Sequence, residues 1–406
     1  MESVYSDPRQ PSAVCQQSGQ HFDFDVPTNR QGSGSMKWDD APCTDFPLWV
    51  ADMDFLAAPC IREALARRVD HGIFGYAMPT DSYYDSIVQW HRRRHSVTYK
   101  REWMIVVPGV VPAISAILRA MARPGDGVLT LSPVYNCFYS SIRNLGCRAE
   151  ESQLLEQDGR YIIDFADLER RASMPDVTVM LLCSPHNPTG RVWTRAELEA
   201  IADICLRHNV FLVSDEIHCE LTMPGHTFLP LFALDHPVLG QACTCTSASK
   251  AFNMAGLQNA QIVCACDEAR ARIDRAVNIH EVCDVNPFGL VATQAAYTQG
   301  DGWLDELRAY LRGNYQVVAS CLREQCPALR VMPLEATYLM WVDIRALGIG
   351  DEDFCQRLIS QQSVRLAPGS HYGKGGEGHV RINLATQRQR LIQAAGRICQ
   401  FVSGLA

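Results

Sequence analysis

From about residue 105 onward, strand-like and helix-like segments alternate along the chain, and this alternation leaves few architectures open. "PAISAILRAMA" (112–122) has helical spacing, "GVLTLS" (127–132) is a short apolar run, and "VTVMLLCS" (177–184) is a continuous β-branched and apolar run. A run of that last kind belongs to a strand covered on both faces. The helical "RAELEAIADICLRHN" (195–209) follows, then the strand-like "VFLVSDE" (210–216) and "ACTCTSAS" (242–249). The order predicts an α/β fold with a mostly parallel sheet flanked by helices. Ligands of such sheets bind at the carboxyl ends of the strands. "SPHNPTG", "DEIH" and "SASK" each directly follow an apolar run, so all three are expected there.

Beyond about residue 290 the pattern changes. A long helical segment (290–325) precedes two strand-like runs around "LRVMPLEATYLMWVDI", a helix near "EDFCQRLISQQ" and a last strand-helix pair beginning "HVRINLA". This predicts a smaller α+β domain. At 406 residues the chain exceeds the size of one growing core, so a division is expected. Its parts are an N-terminal segment (1–47) joining the small domain, a large domain (48–288) and a small C-terminal domain (289–406). With no low-complexity linker between them, the parts are expected to pack tightly.

A formal charge of -8 gives no basic footprint for nucleic acid, which favours a small-molecule partner. No stretch reaches the roughly 18 consecutive apolar residues of a membrane span. The first 20 residues lack the charged and apolar regions of a secretory signal, so a cytoplasmic location is expected. The 17 cysteines are scattered without a C-x-x-C pair and often sit in apolar runs. They read as buried thiols, with no disulfide or metal role expected.

Two motifs match a pattern but not its context. "GKGGEG" (373–378) satisfies G-x-G-x-x-G without a strand-turn-helix start, which reads as a flexible loop. "HRRRH" (91–95) spaces His91 and His95 like helical zinc ligands but lacks the Glu of H-E-x-x-H, which reads as a solvated basic face.

The chemistry converges on "TSASKAFNMAGLQNA" (246–260), where Lys250 sits among small and apolar residues. Burial disfavours an ammonium, and an unprotonated amine can form a Schiff base. Hydroxyls at Ser247 and Ser249, just past a strand end, are placed to bind a phosphate. A lysine, hydroxyls and a phosphate-bearing aldehyde point to pyridoxal 5'-phosphate, although an isolated S-x-S-K also fits a surface loop. That cofactor serves as an electron sink only if its ring nitrogen stays protonated, which calls for a carboxylate partner. Asp215 is placed for this, its alternative being a helix cap. Asn187 could donate to the cofactor's phenolic oxygen or simply shape a turn. Tyr135 could stack on the ring or pack in the core.

The order "HNPTG", "SDEIH", "SASK", with 28 residues from Asn187 to Asp215 and 35 from Asp215 to Lys250, resembles the fold-type I pyridoxal-phosphate enzymes of the class I/II aminotransferase superfamily. Within it the chain is similar to the MalY/PatB type of cystathionine β-lyase, or carbon-sulfur lyase. The features carrying that likeness are "RQGSGSMKWD" (30–39), "LWVADMDF" (48–55), "GIFGYA" (72–77), "PGVVPAISA" (108–116), "SDEIHCEL" (214–221), "SKAFNMAGLQ" (249–258), "ATYLMWVD" (336–343) and "GHVRINLA" (378–385). The resemblance implies a large domain with a seven-stranded sheet. It makes Lys250 the Schiff-base lysine and general base, and Asp215 the partner of the ring nitrogen. Asn187 and His218 then lie near the phenolic oxygen, and Tyr135 lies against cofactor and substrate. Ser247, Ser249 and the amides of Val110 and Val111, at a helix start, hold the phosphate. Tyr76 reaches the phosphate in the neighbouring subunit, which implies a homodimer with shared active sites. Arg381 grips the substrate carboxylate as a fork.

The sequence departs from the family pattern at Gln258, where many aminotransferases have a phosphate-binding arginine, and at Asn136, Cys137 and Ala336. The implied activity is β-elimination on cysteine S-conjugates such as L-cystathionine, releasing a thiol, pyruvate and ammonia. Transamination uses the same residues, and some relatives also serve as regulatory proteins. The residues themselves leave these alternatives open.

Overall fold

In the computed structural model, residues 21–40, 44–279, 281 and 284–405 are described. Seven strands form the large sheet: β1 (Met104–Val107), β2 (Gly127–Ser132), β3 (Arg148–Gln153), β4 (Val177–Cys183), β5 (Phe211–Asp215), β6 (Ala242–Thr246) and β7 (Ala260–Val263). Their spatial order is β1-β7-β6-β5-β4-β2-β3. All neighbours run parallel except β7, which is antiparallel to both β1 and β6. The expected α/β architecture is therefore present, with one strand reversed. Every residue of β4 is buried except Thr178, as a run apolar on both faces requires. The apolar-run signal missed β3, "RAEESQ", because this edge strand is polar. A polar edge discourages pairing with another chain.

The helices follow local signals closely. Helix Arg195–Arg207 starts in a reciprocal cap: the Glu197 N–H donates to Thr194 Oγ1 (3.2 Å) and the Thr194 N–H to Glu197 Oε2 (2.8 Å). The long helical segment expected over 290–325 is two helices, Pro287–Gln299 and Asp301–Gln325. They part at Gly300, where a Cβ would lie 2.5 Å from the Phe252 ring. Only glycine lets the chain turn this close to the aromatic core.

A second, antiparallel sheet takes the order 330–331, 339–343, 379–383, 367–368. Phe46–Pro47 pairs in parallel with Val364–Arg365, so the segment before the large sheet joins the C-terminal region. One apolar core runs from Met53, Phe55 and Trp90 through Phe252 and Trp303 to Phe354 and Leu384, and it spans both regions.

Two sequence readings need correction here. The glycine loop 373–378 is closely packed rather than loose. Gly373 abuts the Tyr139 side chain, and the Lys374 N–H donates to Glu151 Oε2 (2.9 Å). "HRRRH" is not a solvated face either: His91 is buried, and His95 Nε2 lies 2.7 Å from Glu220 Oε1. The helix Asp81–His95 turns both histidines inward, one turn apart. Among the described residues all 14 cysteines are free thiols, nine of them buried.

Candidate active site

Strand register brings the three motif turns together. Asp215 ends β5 opposite Cys183 of β4 and Cys245 of β6, so the turns after β4, β5 and β6 leave the same edge of the sheet. Thr246 pairs with Gln261 of β7, whose neighbour Ala260 pairs with Val107 at the end of β1. The helix start after β1 therefore joins the same edge.

At that helix start, Gly109 precedes Val110 and Val111, whose amides have no partner among the described residues. Pro112 follows and has no N–H to satisfy. Two orphan donors at a helix N-terminus form an anion-binding element. Beside them, the Ser247 hydroxyl donates to the Asn259 carbonyl (2.6 Å) and accepts from the Ser249 N–H (3.1 Å). Its proton is committed to the turn, so Ser249 is the hydroxyl with a proton to offer. Gln258 is exposed, in a left-handed conformation.

The charged groups are arranged unusually. Lys250 Nζ donates to the Ala51 carbonyl (2.7 Å). Burial holds its ammonium below the ordinary lysine value and Arg381 pushes the same way, while Asp52, Cys137 and Asp215 partly oppose. Asp215 is buried, accepts one bond from the Ile217 N–H (3.1 Å) and has no ion-pair partner among the described residues. Burial raises its carboxyl to about 7, against the pull of that N–H and of Lys250. Arg381 is the converse, a buried guanidinium with no carboxylate in reach among the described residues. It donates to Asn187 Oδ1 (3.1 Å) and the Trp49 carbonyl (2.8 Å), and its buried Nε has no partner. Burial pushes the His218 imidazole down to about 3, with Lys250 and Arg381 adding to the effect, and Nδ1 is unpartnered.

An isolated buried charge is costly, so a cation without its anion and an anion without its cation mark places for ligand charges. Lys250, Asp215, His218, Arg381, Asn187 and Tyr135 belong to one cluster, since each acts on another through a hydrogen bond or its charge. Tyr76 stands apart from it, 96% exposed.

Sequence reasoning missed what "WVADMDF" does. Every backbone carbonyl from 49 to 55 accepts a side-chain donor. Arg381 takes Trp49, Asn383 takes Val50 and Asp52, Lys250 and Tyr338 take Ala51, and Asn253 takes Met53 and Phe55. Asp54 receives Thr28 and Gln387. This segment is a strap clamped by Lys250 and the buried Arg381. Tyr338, with its ring 6.3 Å from His218, is a site residue that only its place within "ATYLMWVD" could have flagged.

"RQGSGSMKWD" holds the strap from behind. Lys37 Nζ pairs with Asp54 Oδ2 (2.9 Å), and Arg30 bridges Asp52 (2.7 Å) and Asp54 (2.9 Å). The Lys37 and Asp54 side chains are 0% and 1% exposed. Lys37→Met leaves the buried Asp54 with Arg30 and the Trp38 Nε1–H as partners, so the expected cost is that of one charged hydrogen bond, about 1.5–3 kcal/mol, read from urea unfolding. A loss under about 1 kcal/mol would show that the pair adds little.

The fold and this lysine-centred edge define an α/β enzyme of the aminotransferase class I and II family. The model of that family matches residues 46–398, and the chain belongs to it. The chain is 40% identical to the cystathionine beta-lyase PatB of Bacillus subtilis (strain 168), over 93% of this chain and 99% of that one. It is 34% identical to the protein MalY of Escherichia coli (strain K12), over 91% and 96%. Among solved structures, cystalysin from Treponema denticola, which contains pyridoxal 5'-phosphate, superposes with a TM-score of 0.92 at 32% identity, covering 95% of this chain and all of that one.

Proposed function

We propose that this chain is a pyridoxal 5'-phosphate-dependent carbon-sulfur lyase. It cleaves cysteine S-conjugates such as L-cystathionine by β-elimination to a thiol, pyruvate and ammonia. The observation carrying this reading is the pairing of unmet charges around Lys250, with a buried carboxylate on one side and a buried guanidinium on the other.

The residues fit the cofactor. Asp215, without a cation, suits a protonated ring nitrogen. The free Asn187 Nδ2 and neutral His218 suit the phenolic oxygen, and Tyr135 suits the ring face. Ser249 and the Val110 and Val111 amides suit the phosphate, in the loop that Ser247 shapes. With no arginine at Gln258, phosphate binding rests on hydroxyl and backbone donors. When bound, the cofactor supplies an electron sink for charge at the substrate α-carbon.

The chain's own groups do the rest. Arg381 offers its Nε–Nη2 edge to the substrate carboxylate, a bidentate geometry that fixes the α-carbon over Lys250. The Lys250 amine, whose ammonium form burial disfavours, removes the α-proton. Asp215 keeps its negative charge where positive charge is needed, and the apolar surroundings of the site strengthen that interaction.

The test supplies L-cystathionine without any keto acid. Pyruvate and thiol in equal amounts support the lyase. Turnover only after a keto acid is added assigns the chain to transamination.

A homodimer with shared active sites belongs to the same reading. The stretch 73–78 exposes Ile73 (67%), Phe74 (57%), Tyr76 (96%) and Met78 (77%), an apolar run that water covers poorly and a second copy would bury. From there Tyr76 reaches the cofactor phosphate of the neighbouring copy. Tyr76→Phe is expected to weaken cofactor binding about 10-fold or more, the worth of a hydrogen bond to a charged group. Light scattering at the mass of one chain would rule the dimer out. The division into segments 1–47, 48–288 and 289–406 is proposed with it, supported by the separate sheets. A cytoplasmic location is supported by the free thiols. No helix of the described residues is long and apolar enough to cross a membrane.

A further inference from the structure

Away from the Lys250 site, the helix Asp81–His95 packs against the turn that follows β5, and a second cluster of reactive side chains closes between them. His95 Nε2 lies 2.7 Å from Glu220 Oε1, and Cys219 Sγ lies 3.6 Å from the same oxygen. The three ligand atoms all fall within 4.8 Å of one another. The His95 and Glu220 side chains are 8% and 2% exposed. One helical turn back, His91 is buried with its ring 5.7 Å from that of His95, and its Nε2 has no partner. An imidazole, a thiol and a carboxylate converging this closely in a buried place offer three ligands to a metal.

We propose that His95, Cys219 and Glu220 form a binding site for a zinc-class transition metal, supplying three protein ligands. A thiol with an imidazole selects zinc over magnesium or calcium, which take oxygen ligands. Zinc bonds of about 2.0–2.3 Å place tetrahedral ligands roughly 3.3–3.6 Å apart. Cys219 and Glu220 already meet this spacing, and His95 needs to withdraw from Glu220 by roughly half an ångström. The exchange adds no buried charge. Zinc, neutral imidazole, thiolate and carboxylate sum to zero, and the thiol proton leaves to solvent on binding. Trp90 Nε1 donates to Glu220 Oε1 (2.6 Å), and Arg94 Nε stands 3.9 Å from Oε2, so Oε1 is the oxygen that turns to the metal.

The His-x3-His spacing lacked its internal glutamate in the sequence; Glu220 supplies a carboxylate from 125 residues away. Against the expectation for the cysteines, Cys219 then has a metal role. Bound metal would tie the helix to the turn carrying Asp215 and His218.

The test uses holoenzyme stripped with chelator, incubated with zinc, freed of unbound metal by gel filtration and analysed for metal per chain. About one zinc per chain is expected, falling at least about 10-fold in Cys219→Ser and in His95→Gln, and unchanged in Cys147→Ser. Because Cys219 is buried, X-ray absorption on the unsubstituted protein gives an independent reading: one sulfur at about 2.3 Å with nitrogen or oxygen at about 2.0–2.1 Å. No retained zinc, two or more sulfurs in the shell, or occupancy indifferent to both substitutions overturns the site. The result is independent of the lyase assignment, since no substrate enters it.

Discussion

Lys250→Ala is expected to lower turnover of L-cystathionine by at least about 10⁴-fold, the upper range for losing a positioned general base, with loss of the covalent anchor added. The variant should also lose the visible absorption of the lysine-bound cofactor. Neither effect should come from unfolding, because Lys250 makes a single hydrogen bond, to the Ala51 carbonyl, and Tyr338 retains that carbonyl at 3.0 Å. Thermal melts of the cofactor-free forms should therefore nearly coincide. A variant that keeps its absorption band and a tenth of its activity would remove Lys250 from the chemistry.

Asp215→Asn is expected to cut kcat about 10²–10³-fold, as for removal of one preorganised electrostatic group, with KM little changed. The cofactor should remain bound, so the loss appears as impaired chemistry rather than impaired loading. The same substitution has a signature in the cofactor-free protein. Burial raises the Asp215 carboxyl from 3.8 to about 7, so the folded chain prefers its protonated form. Its contribution to stability is complete below about pH 4 and is lost as pH rises through about 7. The cofactor-free protein should thus lose thermal stability across that window, and Asp215→Asn should flatten the slope. Glu216, raised to about 7 by the same burial, keeps part of it. A cofactor-free melting point equally pH-dependent in both proteins would disprove the raised carboxyl.

The large sheet was legible because its central strands are apolar on both faces and the turns after them carry distinctive polar residues. "VTVMLLC" can be little other than a covered strand, and the polar turn after each such strand is where a ligand can sit. Strand β3 was not legible, since an edge strand owes its place to backbone pairing with β2 rather than to side-chain burial. The break at Gly300 escaped for a related reason: glycine is tolerated within a helix, and what ends this one is the Phe252 ring pressed against it.

The site divides in the same way. Lys250, Asp215, Asn187, His218 and Arg381 could be named from residue type and motif, because a nucleophilic amine, a carboxylate, an amide and a guanidinium each announce their chemistry. Ser247 shows the limit, since its hydroxyl, identical in sequence terms to that of Ser249, is spent on the Asn259 carbonyl.

By itself the sequence determined the alternating fold, the family and the chemical types gathered at one sheet edge, because apolar periodicity and functional-group identity are properties of the chain. Tertiary structure alone decided which charges stay unmet, how the 49–55 carbonyls are clamped by Lys250 and Arg381, and that His95 meets Cys219 and Glu220. Burial and distance between remote residues set those properties, and no local pattern encodes them.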